Sequence, residues 1–401
     1  MATTAQAVFA EMQPDESLST GLLPSQYLKA AIHNSREIEA VEPISDDQIQ
    51  PASLDLRLGS HGYRVPASFL PGSSATVRER IERFAMHRIN LSEGAVLEKG
   101  GIYVVELMES LALRKRTSAI ANPKSSIGRL DVLVRLVTDT GTEFNRVPER
   151  YKGPLYAEIA PRTFSIKVRQ GSRLNQVRIK RGSPPSTDTG MRRLHAEIGL
   201  LNIELPPEAV RKGVPLTVDV IGSGKGPVGY KAKKTAGLID VDSIGQYEIA
   251  DFWEPVYPRR DGGIVLDRGV FYILASREAV RVPTNYAAEL VAYDTLVGEF
   301  RVHYAGFFDP GFGASEANGD GSRAVLEVRS HEVPFLIEHG QVVGRLWYER
   351  LMARPDRFYG SSIGSSYQRQ GLTLSKHFRK MEVVGDRIYA ERPCAPRERR
   401  G

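Results

Sequence analysis

The sequence predicts an all-β protein with a few short helices, built from two tandem copies of one unit. Three observations carry that expectation. Segments such as 53–58, 102–107 and 156–168 alternate apolar with polar residues and end in Gly, Pro or Asn, the pattern of short antiparallel strands. Similar blocks recur at an offset of 169 residues, the mark of a duplicated unit. Near the middle, 181–189 (RGSPPSTDT) has turn-forming composition and no hydrophobic period, as a linker does.

Taken in order, residues 1–18 carry no periodic pattern and are expected as a tail. Residues 22–33 read as a short amphipathic helix starting at Pro24 and Ser25. Strands fill a first copy over 19–182. Its block VLEKGGIYVV from Val96 lines up with VLDRGVFYIL from Val265. A second block, LYAEIAPRTFSIKVRQGSRLNQVRI with Glu158 and Gly171, lines up with AVLEVRSHEVPFLIEHGQVVGRLWY, with Glu327 and Gly340. Between the blocks, Asp139-Thr140-Gly141 matches Asp309-Pro310-Gly311 at an offset of 170, one residue gained and later lost. Each copy then holds an apolar strand, a loop, a hairpin and a second strand closed by a glycine turn. A linker at 183–192 precedes the second copy, 193–385, and a basic tail, 386–401.

A chain of 401 residues and 44.4 kDa is longer than one core usually serves. Hydrophobic content of 41%, charged content of 25% and a mean hydropathy of −0.28 exclude a largely disordered, collagen-like or fibrous protein. With one cysteine, Cys394, neither an internal disulfide nor a cysteine-rich zinc site can form. The first residues lack the features of a signal peptide and no run of about 20 apolar residues occurs, so a cytoplasmic protein without membrane contact is expected. The net charge of +6 suits an anionic partner, but no nucleic-acid motif accompanies it. The clusters KHFRK (376–380) and Arg397-Glu398-Arg399-Arg400 read most simply as solvated charge near a chain end.

Residues present in only one copy carry the chemistry. Copy one holds Pro123-Lys124-Ser125-Ser126-Ile127-Gly128-Arg129, which gathers a cation, two hydroxyls, a glycine and an arginine within one turn. Such groups hold phosphate, although a basic, serine-rich loop is more often a solvated turn. Copy two reads Asp294-Thr295-Leu296-Val297-Gly298-Glu299 there, which would repel an anion. No G-x-x-x-x-G-K-[ST] occurs, which excludes a P-loop nucleotidase. Copy two alone holds AGFFDPGF from Ala305, either a pocket that reads a planar base or an ordinary β-turn over core phenylalanines. Glu158 and Glu327 share one position in an apolar strand: a buried carboxyl there would move protons, and an outward-facing strand residue is the alternative. Residues 359–371, rich in Gly, Ser, Tyr and Gln, have the composition of a lid or of a disordered tail.

As a set, IQPASLDLRLG (49–59), KSSIGR (124–129), AGFFDPGF (305–312), VLE (325–327) and the Tyr-rich tail resemble the motifs of the dCTP deaminase family, which shares its fold with the trimeric dUTPases. The likeness covers nearly the whole chain, as a double-length form with one motif set spread over two tandem dUTPase-like (β-clip) units. It implies that Lys124, Ser125, Ser126 and Arg129, with Gly128 in the same turn, hold the triphosphate and help place a water. Asp309 would contact the deoxyribose, and Ala305 adds to the substrate contacts. Val325 and Leu326 would present backbone to the cytosine, and Glu327 would shuttle protons. Tyr359, Ser366 and Gln370 fall at the family's tail spacing for phosphate and base contacts. The sequence departs from the pattern with Lys124 where Arg is frequent, Ser366 where Lys is frequent, and an insertion, GASEANGDGSR, between Asp309 and Glu327. Because sites in this fold family lie between subunits, each functional site is expected to combine copy one's phosphate turn with copy two's base pocket and lid. The reciprocal site, with DTLVGE and Glu158, would be degenerate.

The reaction implied is hydrolytic deamination of dCTP to dUTP and ammonia, supplying dUTP for dTMP synthesis. Zinc-dependent nucleobase deaminases carry H-x-E and P-C-x-x-C, which a single cysteine cannot provide. A zinc-free site is therefore expected, with Glu327 as base, Ser125 and Arg129 ordering the water, and no metal bound by protein residues alone. Magnesium would accompany the triphosphate. The resemblance also implies a homo-oligomer, with a trimer among the forms, and dTTP as a feedback ligand. Two alternatives stay open: a dUTP diphosphatase or bifunctional enzyme releasing dUMP and pyrophosphate, and a nucleotide sensor without catalysis.

Overall fold

Alternating sequence becomes long strands that pair along their edges. In the computed structural model, which describes residues 18–184, 187–222, 224, 226–292, 300–303, 306–313, 321–359, 371–379, 381–384 and 387–390, the protein is mostly β with a few short helices. The main sheet of the first half is ordered Val132–Thr138, Lys152–Pro161, Ile102–Ala112, Leu54–Val65, Arg173–Arg181, Thr117–Pro123 and Arg146–Val147, and a smaller one pairs Ala95–Leu97, Ile166–Val168 and Ile239–Asp240. The second half has two larger sheets and a pair formed by Gly263–Leu266 and Phe335–Glu338. One sheet runs Trp253–Val256, Gly229–Ala232, Phe271–Val280, Ser322–Ser330 and Phe300–His303, and the other runs Val214–Thr217, Val342–Arg350, Tyr286–Ala292 and Phe307–Phe308.

The halves repeat each other in register as well as in sequence. Glu158 lies opposite Val104 and Glu327 opposite Ile273; Val177 opposite Ala121 and Leu346 opposite Leu290; Ile166 opposite Leu97 and Phe335 opposite Leu266. Each of these pairs is displaced from its counterpart by 169 residues. A one-residue slip would turn every core side chain outward, so equal registers preserve equal faces.

Helix Ser25–His33 starts after Pro24, as the sequence predicts. The stretch expected as a linker is helical from Asp188: the Thr187 hydroxyl accepts from the Gly190 N–H and caps the helix Asp188–Ile198, which buries Met191 and Leu194. The preceding Pro and Ser hid that start. Among the described residues no helix is long and apolar enough to cross a membrane.

The main core belongs to both halves. Leu56, Val105, Ile159 and Val177 are continuous with Trp253, Phe271 and Ile273 and with Leu374 and Phe378 near the chain end. Phe164 lies 5.5 Å edge-on from both Phe252 and Trp253, and Phe378 lies 5.4 Å from Phe252 and 6.1 Å from Trp253. Edge-to-face rings at such distances attract beyond their area of burial. This anchor corrects the expectation that KHFRK is solvated: His377 is fully buried and Phe378 nearly so. The ring draws its polar neighbours in, and Arg379 pairs with Glu248. Lys380, Cys394 and 397–400 lie outside the described residues.

Truncating Phe378 to Ala is expected to cost about 3–5 kcal/mol in urea unfolding. A transition midpoint equal to that of the intact protein would mean that the ring anchors nothing.

Candidate active site

Pro123 ends a core strand, and the next residues make a single helical turn, Ser125–Gly128, with Arg129 as its C-cap. This turn forms one wall of a cavity of about 180 Å3 at the junction of the halves. Lys124 forms an ion pair with Asp55 from the strand Leu54–Val65. Arg129 is buried and donates from Nη1 to the Thr373 carbonyl at 3.1 Å. The Ser375 hydroxyl donates to the Ser126 carbonyl at 2.6 Å and lies 2.8 Å from His377 Nδ1; His377 Nε2 lies 2.8 Å from the Val241 carbonyl. Segment 371–379 is thus latched onto the turn, with Lys376 on the cavity wall. Burial and the nearby Lys124 charge push the Lys376 ammonium below its usual range.

The opposite wall comes from the second half but is held by the first. Arg178, fully buried on Arg173–Arg181, donates from Nη1 to the Ala288 carbonyl at 2.9 Å and from Nη2 to the Phe308 carbonyl at 3.0 Å. Its Nη2 also reaches Asp309 Oδ1 at 3.1 Å, and the guanidinium carbon lies 3.9 Å from the Phe307 ring centre. Burial raises the Asp309 carboxyl pKa and Arg178 opposes that shift. At Gly311, with φ +88°, a Cβ would come within 2.6 Å of the Tyr359 carbonyl oxygen, so only glycine lets Tyr359 close against the turn. The Tyr359 N–H donates to the Pro310 carbonyl at 2.8 Å.

Strand alternation on Ser322–Ser330 turns Val325 and Glu327 to the cavity and Leu326 into the second half's own core. Glu327 is only 5% exposed. Burial pushes its carboxyl up to about 8, with Arg129 pulling it down and Asp131 pushing it further up. A carboxyl of that basicity takes and returns protons near neutral pH.

Lys124, Ser125, Ser126, Arg129, Asp309, Val325, Glu327 and Tyr359, separated by up to 235 residues in sequence, therefore line one cavity. Gly128 closes the helical turn without lining the cavity, and the Leu326 side chain points away from it. Ala305, Ser366 and Gln370, with 294–299 and most of the insertion, lie outside the described residues. Sequence reasoning missed Gln50, Asp55, Gln176 and Lys376, which also line the cavity. The signal for Asp55 was a carboxylate between two leucines of a strand; that for Lys376 was hidden in a basic run. Among the described residues no group of three or more His, Cys, Asp or Glu is placed to hold a metal ion.

The equivalent place in the first half is occupied by the protein itself. Glu158 is buried, and Arg135 Nε donates to its Oε1 at 3.0 Å while the guanidinium stacks 3.7 Å from the Phe144 ring centre. Asp139, the counterpart of Asp309, accepts the Val77 N–H at 2.7 Å at the start of the helix Val77–Phe84.

The chain was compared with known proteins. The N-terminal domain model of 2'-deoxycytidine 5'-triphosphate deaminase matches residues 19–183, and the C-terminal domain model matches 187–378. A crystal structure of 2'-deoxycytidine 5'-triphosphate deaminase from Agrobacterium tumefaciens superposes with a TM-score of 0.79 at 50% identity, covering 83% of this chain and all of the other. A protein of Parafrankia sp. named "dCTP deaminase, dUMP-forming" is 33% identical over 137 residues, which span 33% of this chain and 64% of that relative. One of the same name from Nanoarchaeum equitans is 26% identical over 185 residues, 42% of this chain and 87% of the relative. Matched by both domain models and, at half identity, by a solved deaminase along its whole length, the chain belongs to the dCTP deaminase family.

Proposed function

We propose that the chain removes the C4 amino group of dCTP hydrolytically in the cavity between its halves, with Glu327 as the proton carrier. The observation that carries this reading is the buried Glu327 carboxyl beside Arg129 and across from a basic, hydroxyl-rich turn. Ionised Glu327 takes a proton from water as the oxygen bonds to C4, and delivers it to ring N3. The proton of the new hydroxyl then passes through Glu327 to the amino nitrogen as the C–N bond breaks, leaving a uracil ring and ammonia. Arg129 and Ser125 stabilise the oxygen that bears charge between these steps.

Lys124, Lys376 and the Ser125 and Ser126 hydroxyls form the triphosphate side. Lys376 supplies the second cation where the sequence has Ser366 in place of the family's frequent lysine. This cationic wall fits a triphosphate, and magnesium arriving with the nucleotide would offset part of its charge. Equal registers support reading the halves as tandem dUTPase-like (β-clip) units, and the internal use of Glu158 and Asp139 supports one site per chain. A second reading, onward hydrolysis to dUMP and pyrophosphate, is favoured by the names of the Parafrankia and Nanoarchaeum relatives.

Incubation with dCTP and magnesium should release ammonia and dUTP; dUMP with pyrophosphate would establish the second reading, and no turnover would overturn both. Glu327→Gln should lower the rate by about 10²- to 10⁴-fold while Glu158→Gln retains turnover. Because the base acts ionised, kcat/KM should rise with pH and level off above about 8. The same shift bears on stability. The folded pKa lies above the unfolded value near 4.5, so this carboxyl's favourable contribution is whole below 4.5 and lost as pH rises through 8. Glu327→Gln should therefore raise the melting temperature more at pH 8 than at pH 5. Lys376→Met should raise KM for dCTP about 10-fold or more, with a smaller change in kcat.

A further inference from the structure

Behind the cavity lies a buried charge cluster that the mechanism does not use. Asp131, two residues past Arg129, is fully buried and has φ +56°, a left-handed conformation that costs a non-glycine residue free energy. Its Oδ2 accepts the Thr163 hydroxyl at 2.5 Å and pairs with Arg329 Nη2, which also donates to Thr163 Oγ1 at 3.0 Å. Arg329 Nη1 donates to the Gly269 carbonyl. The side chains of Arg329 and Asp131 are 9% and 0% exposed. Arg329 follows Glu327 by two residues, on the same face of Ser322–Ser330.

The pair thus joins the two catalytic segments from behind. Asp131 shares its turn with Arg129 in the first half, and Arg329 shares its strand face with Glu327 in the second. We propose that Asp131 and Arg329 are positioning residues that set the separation of Arg129 and Glu327 and balance the charge behind Glu327. This rests on the deaminase reading above. Arg129 and Asp131 act on Glu327 from the first half, and Arg329 lies two residues along its own strand; its register partners are Ile273 and His303 on the flanking strands. Removing Asp131's charge leaves excess positive charge near Glu327, and removing Arg329's leaves excess negative charge.

The test compares Asp131→Asn, Arg329→Met and the double variant with the intact protein, reading ammonia release from dCTP across pH and thermal unfolding. Asparagine enters the left-handed region readily and its amide oxygen can still accept from Thr163, and the thermal unfolding reads how far the variant keeps the fold. Each single change is expected to lower kcat on the order of 10²-fold with KM within about threefold. The acidic limb of the rate profile should move down in pH for Asp131→Asn and up for Arg329→Met, and the double variant should return it. Folded variants with unchanged kcat and limb overturn the inference, as do losses without opposed shifts, which a merely structural pair would give. An intact protein that releases no ammonia removes the deaminase reading, and this inference with it.

Discussion

Arg178 is the interaction on which the site depends. A guanidinium buried from water loses a large hydration energy and is tolerable only when its donors are met. Here two backbone carbonyls and a carboxylate of the second half meet them, and an aromatic ring covers the face. The chain cannot satisfy that arginine without bringing Ala288, Phe308 and Asp309 to the edge of a first-half strand. Once they are there, Glu327 and the Lys124–Arg129 turn line the same cavity.

The duplication shows how one architecture carries two fates. Strand registers agree on the pairs Glu158–Val104 and Glu327–Ile273, Val177–Ala121 and Leu346–Leu290, and Ile166–Leu97 and Phe335–Leu266, so packing constrains these parts of both halves alike. Chemistry does not, because it rests on side chains that leave the registers untouched. Glu327 remains in a cavity with its basicity raised by burial, whereas Glu158, at the equivalent position, meets Arg135 and becomes an ordinary internal ion pair.

Much of this was legible in the sequence because it is written in short contiguous runs. KSSIGR, AGFFDPGF and VLE each put their chemistry within a few residues, and the 169-residue offset ties the two longest blocks together. Contacts between halves were not legible. Arg178 and Arg329 sit in alternating strands, where arginine reads as an outward-facing residue, and only the fold reveals that outward from one half is inward to the other. Lys376 and His377 were obscured for a different reason: in KHFRK the density of charge outweighs one phenylalanine, although that ring decides where the segment lies. The helix Asp188–Ile198 was lost behind Pro and Ser, although Thr187 and Asp188 at its start and Gly199 at its end were cues.

The closure of the first half's equivalent site has a historical consequence. A lineage that fused two copies could let one drift, but Arg135 on Glu158 and the Val77 N–H on Asp139 make that drift hard to reverse. Deleting Arg135 alone strands a buried carboxylate, and freeing Asp139 alone takes from the Val77 N–H its side-chain acceptor, so each backward step is harmful before the next can help. The second half keeps its buried glutamate open to the cavity, and the first survives as the scaffold that lends it a turn.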